Sequence, residues 1–239
     1  MVQLYLNFAN RSLLDNLLAP QRKPEEENDE NHRNREEEVR IFVKQLLTAL
    51  QYMHHRNIAH LDLRPEVVLL QDDHLKLADF GQSRHLLCGR AHGEIQGSPE
   101  FVAPEVALGK AVNLAADMWS SGVLSYVLLT GLSPFLGDND KETLSNVVAG
   151  HANFNVPEFN GISPEGKDFL GKLLIVEPGK RMSVDQALEH DWLNDPKLAD
   201  AKLSIDCLRE FKYKHKWLVS IVTFFYYLSA YLPFYLPAS

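Results

Sequence analysis

Val39, Phe42, Val43, Leu46, Leu47, Leu50 and Met53 recur at three- and four-residue intervals, which predicts a helix with one apolar face over 39–53. Two short apolar runs follow, 67–70 and 75–78, separated by Gln71-Asp72-Asp73-His74, and these read as strands joined by a tight turn. Residues 118–129 are apolar on most faces, the pattern of a central buried helix. Further helices are expected over 142–149, 164–174 and 183–189, the last with Ser183 and Gln186 at capping-box spacing. Near the start, 2–6 reads as a short buried strand, and Ser12 as the cap of a helix over 13–18. From Asp79 to Glu105 periodicity is lost. Four glycines and two prolines make this a long irregular segment, of the kind that usually carries function. The prediction is a mainly α domain with a few short strands.

Composition narrows the function classes. The chain has 239 residues with 45% hydrophobic content, enough for one substantial core. A net charge of −8 argues against nucleic acid as a partner. Much of that acidity is local, because 24–38 holds eight acidic residues and little that is apolar. It reads as a solvated, disordered insert with bounds at about 22–37. Cys88 and Cys207 form neither a metal spacing nor a disulfide framework, which suits a reducing, cytoplasmic setting. The N-terminus carries no basic leader of a secretory signal. Residues 203–217 form an expected amphipathic basic helix with Phe211 and Trp217, which either packs on the domain or offers a calmodulin target. Residues 217–239 carry no charge; they read as an uncharged extension or, alternatively, as a membrane anchor. Membrane contact is expected only in that second case.

The chemistry-bearing motifs are individually weak and collectively specific. His60-Leu61-Asp62-Leu63-Arg64-Pro65-Glu66 resembles the catalytic loop of protein kinases, and Asp79-Phe80-Gly81, seventeen residues after Asp62, resembles their magnesium motif. Ala103-Pro104-Glu105, Asp117-Met118-Trp119-Ser120-Ser121-Gly122, Arg181 and His190-Asp191-Trp192-Leu193 follow in the family's order. The resemblance covers 2–192 and implies the C-terminal lobe of the α+β protein kinase fold. Its flavour is the myosin-light-chain-kinase-like group, most like obscurin and other giant muscle kinases, and also similar to titin, Trio and kalirin kinases. The residues that carry this are His60-Leu61-Asp62-Leu63, the run from Gly97 to Glu105, and Ser133-Pro134-Phe135-Leu136-Gly137.

The resemblance implies roles for these residues. Asp62 would accept the proton of a substrate hydroxyl, and Asp79 would hold magnesium bridging the phosphates of ATP. His60, Phe80 and Gly81 would shape the two motifs. Glu105 with Arg181 would form a buried pair, and Asp117 would hold the catalytic loop from below. Leu61 stands where many kinases carry an arginine that receives an activation-loop phosphate, so control by such a phosphate is not expected.

Three departures bear on activity. Val67 occupies the place of the asparagine that binds a second magnesium, and its isopropyl group offers no lone pair. Arg64 replaces the lysine that contacts the γ-phosphate, and its planar fork places charge differently. No glycine-rich loop is present, and the chain opens at what resembles the fifth strand, so the small β-rich lobe is expected to be missing. The expected organisation is a kinase lobe with hinge over 1–193, a basic helix over 194–216 and a hydrophobic tail over 217–239. The function expected is a serine/threonine kinase homologue acting as pseudokinase or scaffold in sarcomeric signalling, with protein partners and with ATP and magnesium binding in doubt. The alternatives are a piece of an active kinase and a tail-anchored binding protein.

Overall fold

The computed structural model describes residues 11–12, 35–71, 74–86 and 98–194. The expected strand over 2–6, the helix over 13–18, both cysteines, the basic helix over 203–217 and the uncharged tail lie outside the described residues. In chain order the elements are β1 (Arg11–Ser12), α1 (Arg35–His54), β2 (Ile58–Ala59), a 3-10 turn (Pro65–Val67), β3 (Val68–Gln71), β4 (His74–Leu77), a 3-10 turn (Phe80–Gln82) and β5 (Arg84–His85). Then come α2 (Pro104–Ala107), α3 (Ala115–Thr130), α4 (Asp140–Ala149), α5 (Pro164–Leu173), α6 (Val184–Leu188) and α7 (Asp191–Asn194), with short 3-10 turns at Pro157–Phe159 and Pro178–Lys180. The lobe is mainly α, in agreement with the periodicity.

The helix α3 forms the centre. Every residue from Ala116 to Thr130 is buried, so the segment reads as apolar on all faces because it meets protein on all faces. Its serines and its threonine remain tolerable there because Ser121, Ser125 and Thr130 donate to the carbonyls four residues back. Gly122 permits the approach of α5: a Cβ at Gly122 would lie 2.9 Å from Leu173 Cβ. The helix α1 lays Val39, Val43, Leu46, Leu47 and Leu50 into the same core. Trp119 stacks on Phe135 with ring centroids 5.1 Å apart, and Phe169 meets Trp192 at 4.7 Å.

The strands are short and antiparallel. β3 pairs with β4 and with β1, and β2 pairs with β5. Ser12 pairs with Leu69 in β1, and the helix over 13–18 that it was expected to cap lies outside the described residues. The expected strand over 67–70 begins one residue later, because Val67 closes the turn after Pro65 by donating its N–H to Arg64 O.

The acidic insert ends earlier than composition indicated. α1 starts at Arg35, so Glu36, Glu37 and Glu38 form its first turn, where acidic side chains favour the helix dipole. Glu36 is buried. It accepts the indole N–H of Trp192 at 2.8 Å and the backbone N–H of Ser163 at 3.1 Å, and the Ser163 hydroxyl also donates to it. A residue that reads as solvated charge therefore ties α1 to the N-cap of α5 and to Trp192 in α7.

Candidate active site

The motif residues converge at the N-terminal end of α3. Asp117 lies in the first turn of that helix and is fully buried. Its Oδ2 accepts the N–H of His60 at 2.8 Å and its Oδ1 accepts the N–H of Leu61 at 2.8 Å. His54 completes the set, with Nε2 at 2.9 Å from Asp117 Oδ2. A carboxylate oxygen only accepts, so Nε2 carries the proton. His54 was not among the residues singled out from sequence. The signal was available: His54 continues the buried stripe of Val43, Leu47 and Leu50 at helical spacing.

Three non-glycine residues of this region have positive φ: Asn57 at 54°, Leu61 at 65° and Asp79 at 57°. Asparagine and aspartate enter that region at modest cost, whereas leucine loses about 1–2 kcal/mol there. Such strain persists only where surrounding contacts outweigh it.

His60 is buried, with Nε2 3.1 Å from Ala78 O and its ring 5.2 Å from that of Phe80. Phe80 itself is half exposed. A Cβ on Gly81 would lie 3.3 Å from Asp79 Oδ1, so a side chain there would press on the Asp79 carboxylate.

Asp62 and Asp79 face each other across Arg64. Arg64 Nε is 3.3 Å from Asp62 Oδ1, Nη1 is 3.7 Å from Glu66 Oε2, and Nη2 is 3.7 Å from Asp79 Oδ2. Burial pushes the Asp62 carboxyl above its ordinary pKa; Arg64 opposes this and the charge of Asp79 adds to it. A raised pKa makes the Asp62 carboxylate a stronger proton acceptor, the direction that suits a group taking a proton from a hydroxyl.

Val67 faces inward. It is 3% exposed and belongs to the core with Leu63 and Val68. It offers no donor atom. Among the described residues no group of three or more His, Cys, Asp or Glu side chains is placed to hold a metal ion. Of Asp62, Glu66 and Asp79, Asp79 has the most open carboxylate, and Arg64 stands beside it. This donor set does not fit the pair of magnesium ions that a kinase nucleotide site carries.

Glu105 and Arg181 lie apart from the cleft. Two guanidinium nitrogens meet the two carboxylate oxygens at 2.9 and 3.1 Å. Arg181 also donates to Ile175 O at 3.0 Å, to Val176 O at 3.3 Å and to Ala115 O, and lies 5.2 Å from the Trp119 ring centre. The pair fastens α2 to the start of α3 and to the chain after α5.

The family model for the protein kinase domain matches residues 2–193. The muscle M-line assembly protein unc-89 of Caenorhabditis elegans is 60% identical over 185 residues, covering 77% of this chain and 2% of that protein. The titin homolog of the same organism is 47% identical over 167 residues, covering 69% of this chain and 1% of that protein. This chain therefore spans only a few hundredths of these relatives' length. Among solved structures, a twitchin kinase fragment of C. elegans superposes with a TM-score of 0.71 at 42% identity, covering 76% of this chain and 42% of that one. With the cleft motifs, the central helix and the buried Glu105–Arg181 pair in one lobe, the chain belongs to the protein kinase domain family, among relatives of the muscle kinase group.

Proposed function

We propose that this lobe serves muscle-type kinase signalling as a pseudokinase or scaffold, a protein-binding module with little or no phosphoryl transfer of its own. The observation that carries this is Val67. Valine carries no oxygen or nitrogen donor in any rotamer, so this position supplies no ligand for a second metal ion, and the side chain is packed with the apolar residues around it. The roles suggested for Asp62, Arg64 and Asp79 in binding nucleotide would then be vestigial, whereas Glu105, Arg181 and Asp117 would retain structural work. The relatives named for M-line assembly and as a titin homolog support a cytoplasmic, sarcomeric place and protein partners. Calmodulin remains a partner to test, on the basic composition of 203–217.

A second reading is a serine/threonine kinase that acts on protein substrates. It is favoured by the retention of Asp62 and Asp79 on either side of the cleft, the minimum for orienting a hydroxyl and holding one ion.

Fluorescent ATP-analogue binding to the full chain, with and without magnesium, separates the two. The expected result is no magnesium-dependent binding by the native chain, and a gain in Val67→Asn. Magnesium-dependent phosphorylation of a test peptide that disappears in Asp62→Asn would overturn the pseudokinase reading.

A further inference from the structure

The three nitrogens of the Arg64 guanidinium face three different carboxylates. Nε addresses Asp62 at 3.3 Å, Nη1 addresses Glu66 at 3.7 Å, and Nη2 addresses Asp79 at 3.7 Å. Asp62 and Glu66 lie two residues either side of Arg64 in one loop, whereas Asp79 comes from a separate piece of backbone. Asp62 is on the loop after β2, Glu66 is in the 3-10 turn, and Asp79 follows β4 in a left-handed conformation. Without a cation between them, three negative charges would crowd one cleft and repel.

A lysine in place of Arg64 presents one compact ammonium on a flexible stem and cannot address three acceptors set around a plane. A planar fork can. The Arg64, Asp62 and Glu66 side chains are 26%, 11% and 27% exposed, so solvent screens their contacts less than those of a surface pair, while Asp79, at 57%, is the open member of the cluster.

We infer that Arg64 is the resident cation of this cleft, clamping Asp62, Glu66 and Asp79 and supplying the positive charge that a divalent ion would otherwise bring. The loop geometry is then set without a metal. This rests on reading the site as lacking a full magnesium donor set. It goes further by naming what takes the ion's electrostatic place, and it accounts for arginine being present there instead of lysine.

The test uses the full 239-residue chain without nucleotide. Thermal unfolding is followed in magnesium chloride and in sodium chloride of equal ionic strength, for the native chain, Arg64→Met and Arg64→Lys. The native chain should melt at the same temperature in both salts. Arg64→Met should melt about 2–4 °C lower in sodium chloride and recover part of that loss in magnesium. Arg64→Lys should fall between them. Adding Asp79→Asn to Arg64→Met should remove the magnesium response, because the repulsion it relieves is then reduced. A magnesium-dependent rise in the native chain would overturn the inference, as would an Arg64→Met variant with no response to magnesium. Since no nucleotide is present, either failure leaves the Val67 binding experiment to be judged separately.

Discussion

The carboxylate of Asp117 accepts the backbone N–H of Leu61 at 2.8 Å and thereby holds a leucine at φ 65°. One oxygen takes Leu61, and the other takes His60 and the His54 ring. The conformation that aims Asp62 into the cleft is thus maintained from below by a buried charge on α3. This does not depend on whether the cleft performs chemistry.

Asp117→Ala should cost about 3–5 kcal/mol, since it leaves two buried N–H groups and the His54 ring without their acceptor. Asp117→Asn keeps one oxygen and should cost less. Urea unfolding of the full chain measures both. A loss below about 1 kcal/mol for the alanine variant would show that Leu61 is held by something else.

Glu105→Ala and Arg181→Met should each cost about 3–5 kcal/mol, because each leaves a partly uncompensated charge in the core. The double variant should cost less than the sum of the two, since no lone charge remains. Additive losses in a double-mutant cycle would mean that the two side chains act independently, against the bidentate geometry.

Glu36→Ala should destabilise by about 1–3 kcal/mol, leaving the Trp192 indole and Ser163 N–H groups unpaired. Glu37→Ala, one residue on and exposed, should change stability by less than about 0.5 kcal/mol. Equal effects would place Glu36 in solvent.

The acid limb of stability should be shallow and carried partly by Asp168 and Asp185. Hydrogen bonds from Lys172 and His190 hold Asp168 below its ordinary pKa, and hydrogen bonds from Gln51 and His55 do the same for Asp185. A lowered carboxylate pKa gives stability that is full above the unfolded value of 3.8 and is lost as pH falls through the folded value. Asp168→Asn should therefore destabilise at neutral pH and have no effect well below pH 3.8. Both carboxylates are about half exposed, so each effect should stay within about 1 kcal/mol. Asp62 works in the opposite sense: its raised pKa favours the folded state in acid, and that contribution disappears as pH rises through the folded value. Denaturant midpoints of native and Asp168→Asn proteins across pH 3–7 would reveal the difference. A constant gap between the two would show that folding does not lower the Asp168 pKa.

Much of the candidate site was legible because its residues sit in ordered runs. Asp62, Arg64, Val67 and Asp79 all fall in ordered motifs that resemble the catalytic and magnesium loops of protein kinases. Glu36 and His54 were not singled out, because their neighbours in sequence disguise them. Glu36 is embedded in a charge run and His54 in a His-His pair, and composition averages over such stretches. Their position on the buried face of α1 was the only sign, and for Glu36 it needed a helix start four residues earlier than the apolar pattern suggests.

The sequence by itself determined the helices over 39–53, 142–149, 164–174 and 183–189, the buried centre at 118–129 and the order of the motifs. Each of these depends on local periodicity or on nearest-neighbour chemistry. Only the tertiary structure decided which way Val67 points, which carboxylates share Arg64, and which carboxylate near the start of the chain is buried. Those outcomes join residues distant in sequence, Glu36 to Trp192 and Asp117 to Leu61 among them. Burial and charge pairing are properties of what is brought alongside, and a linear pattern does not contain them.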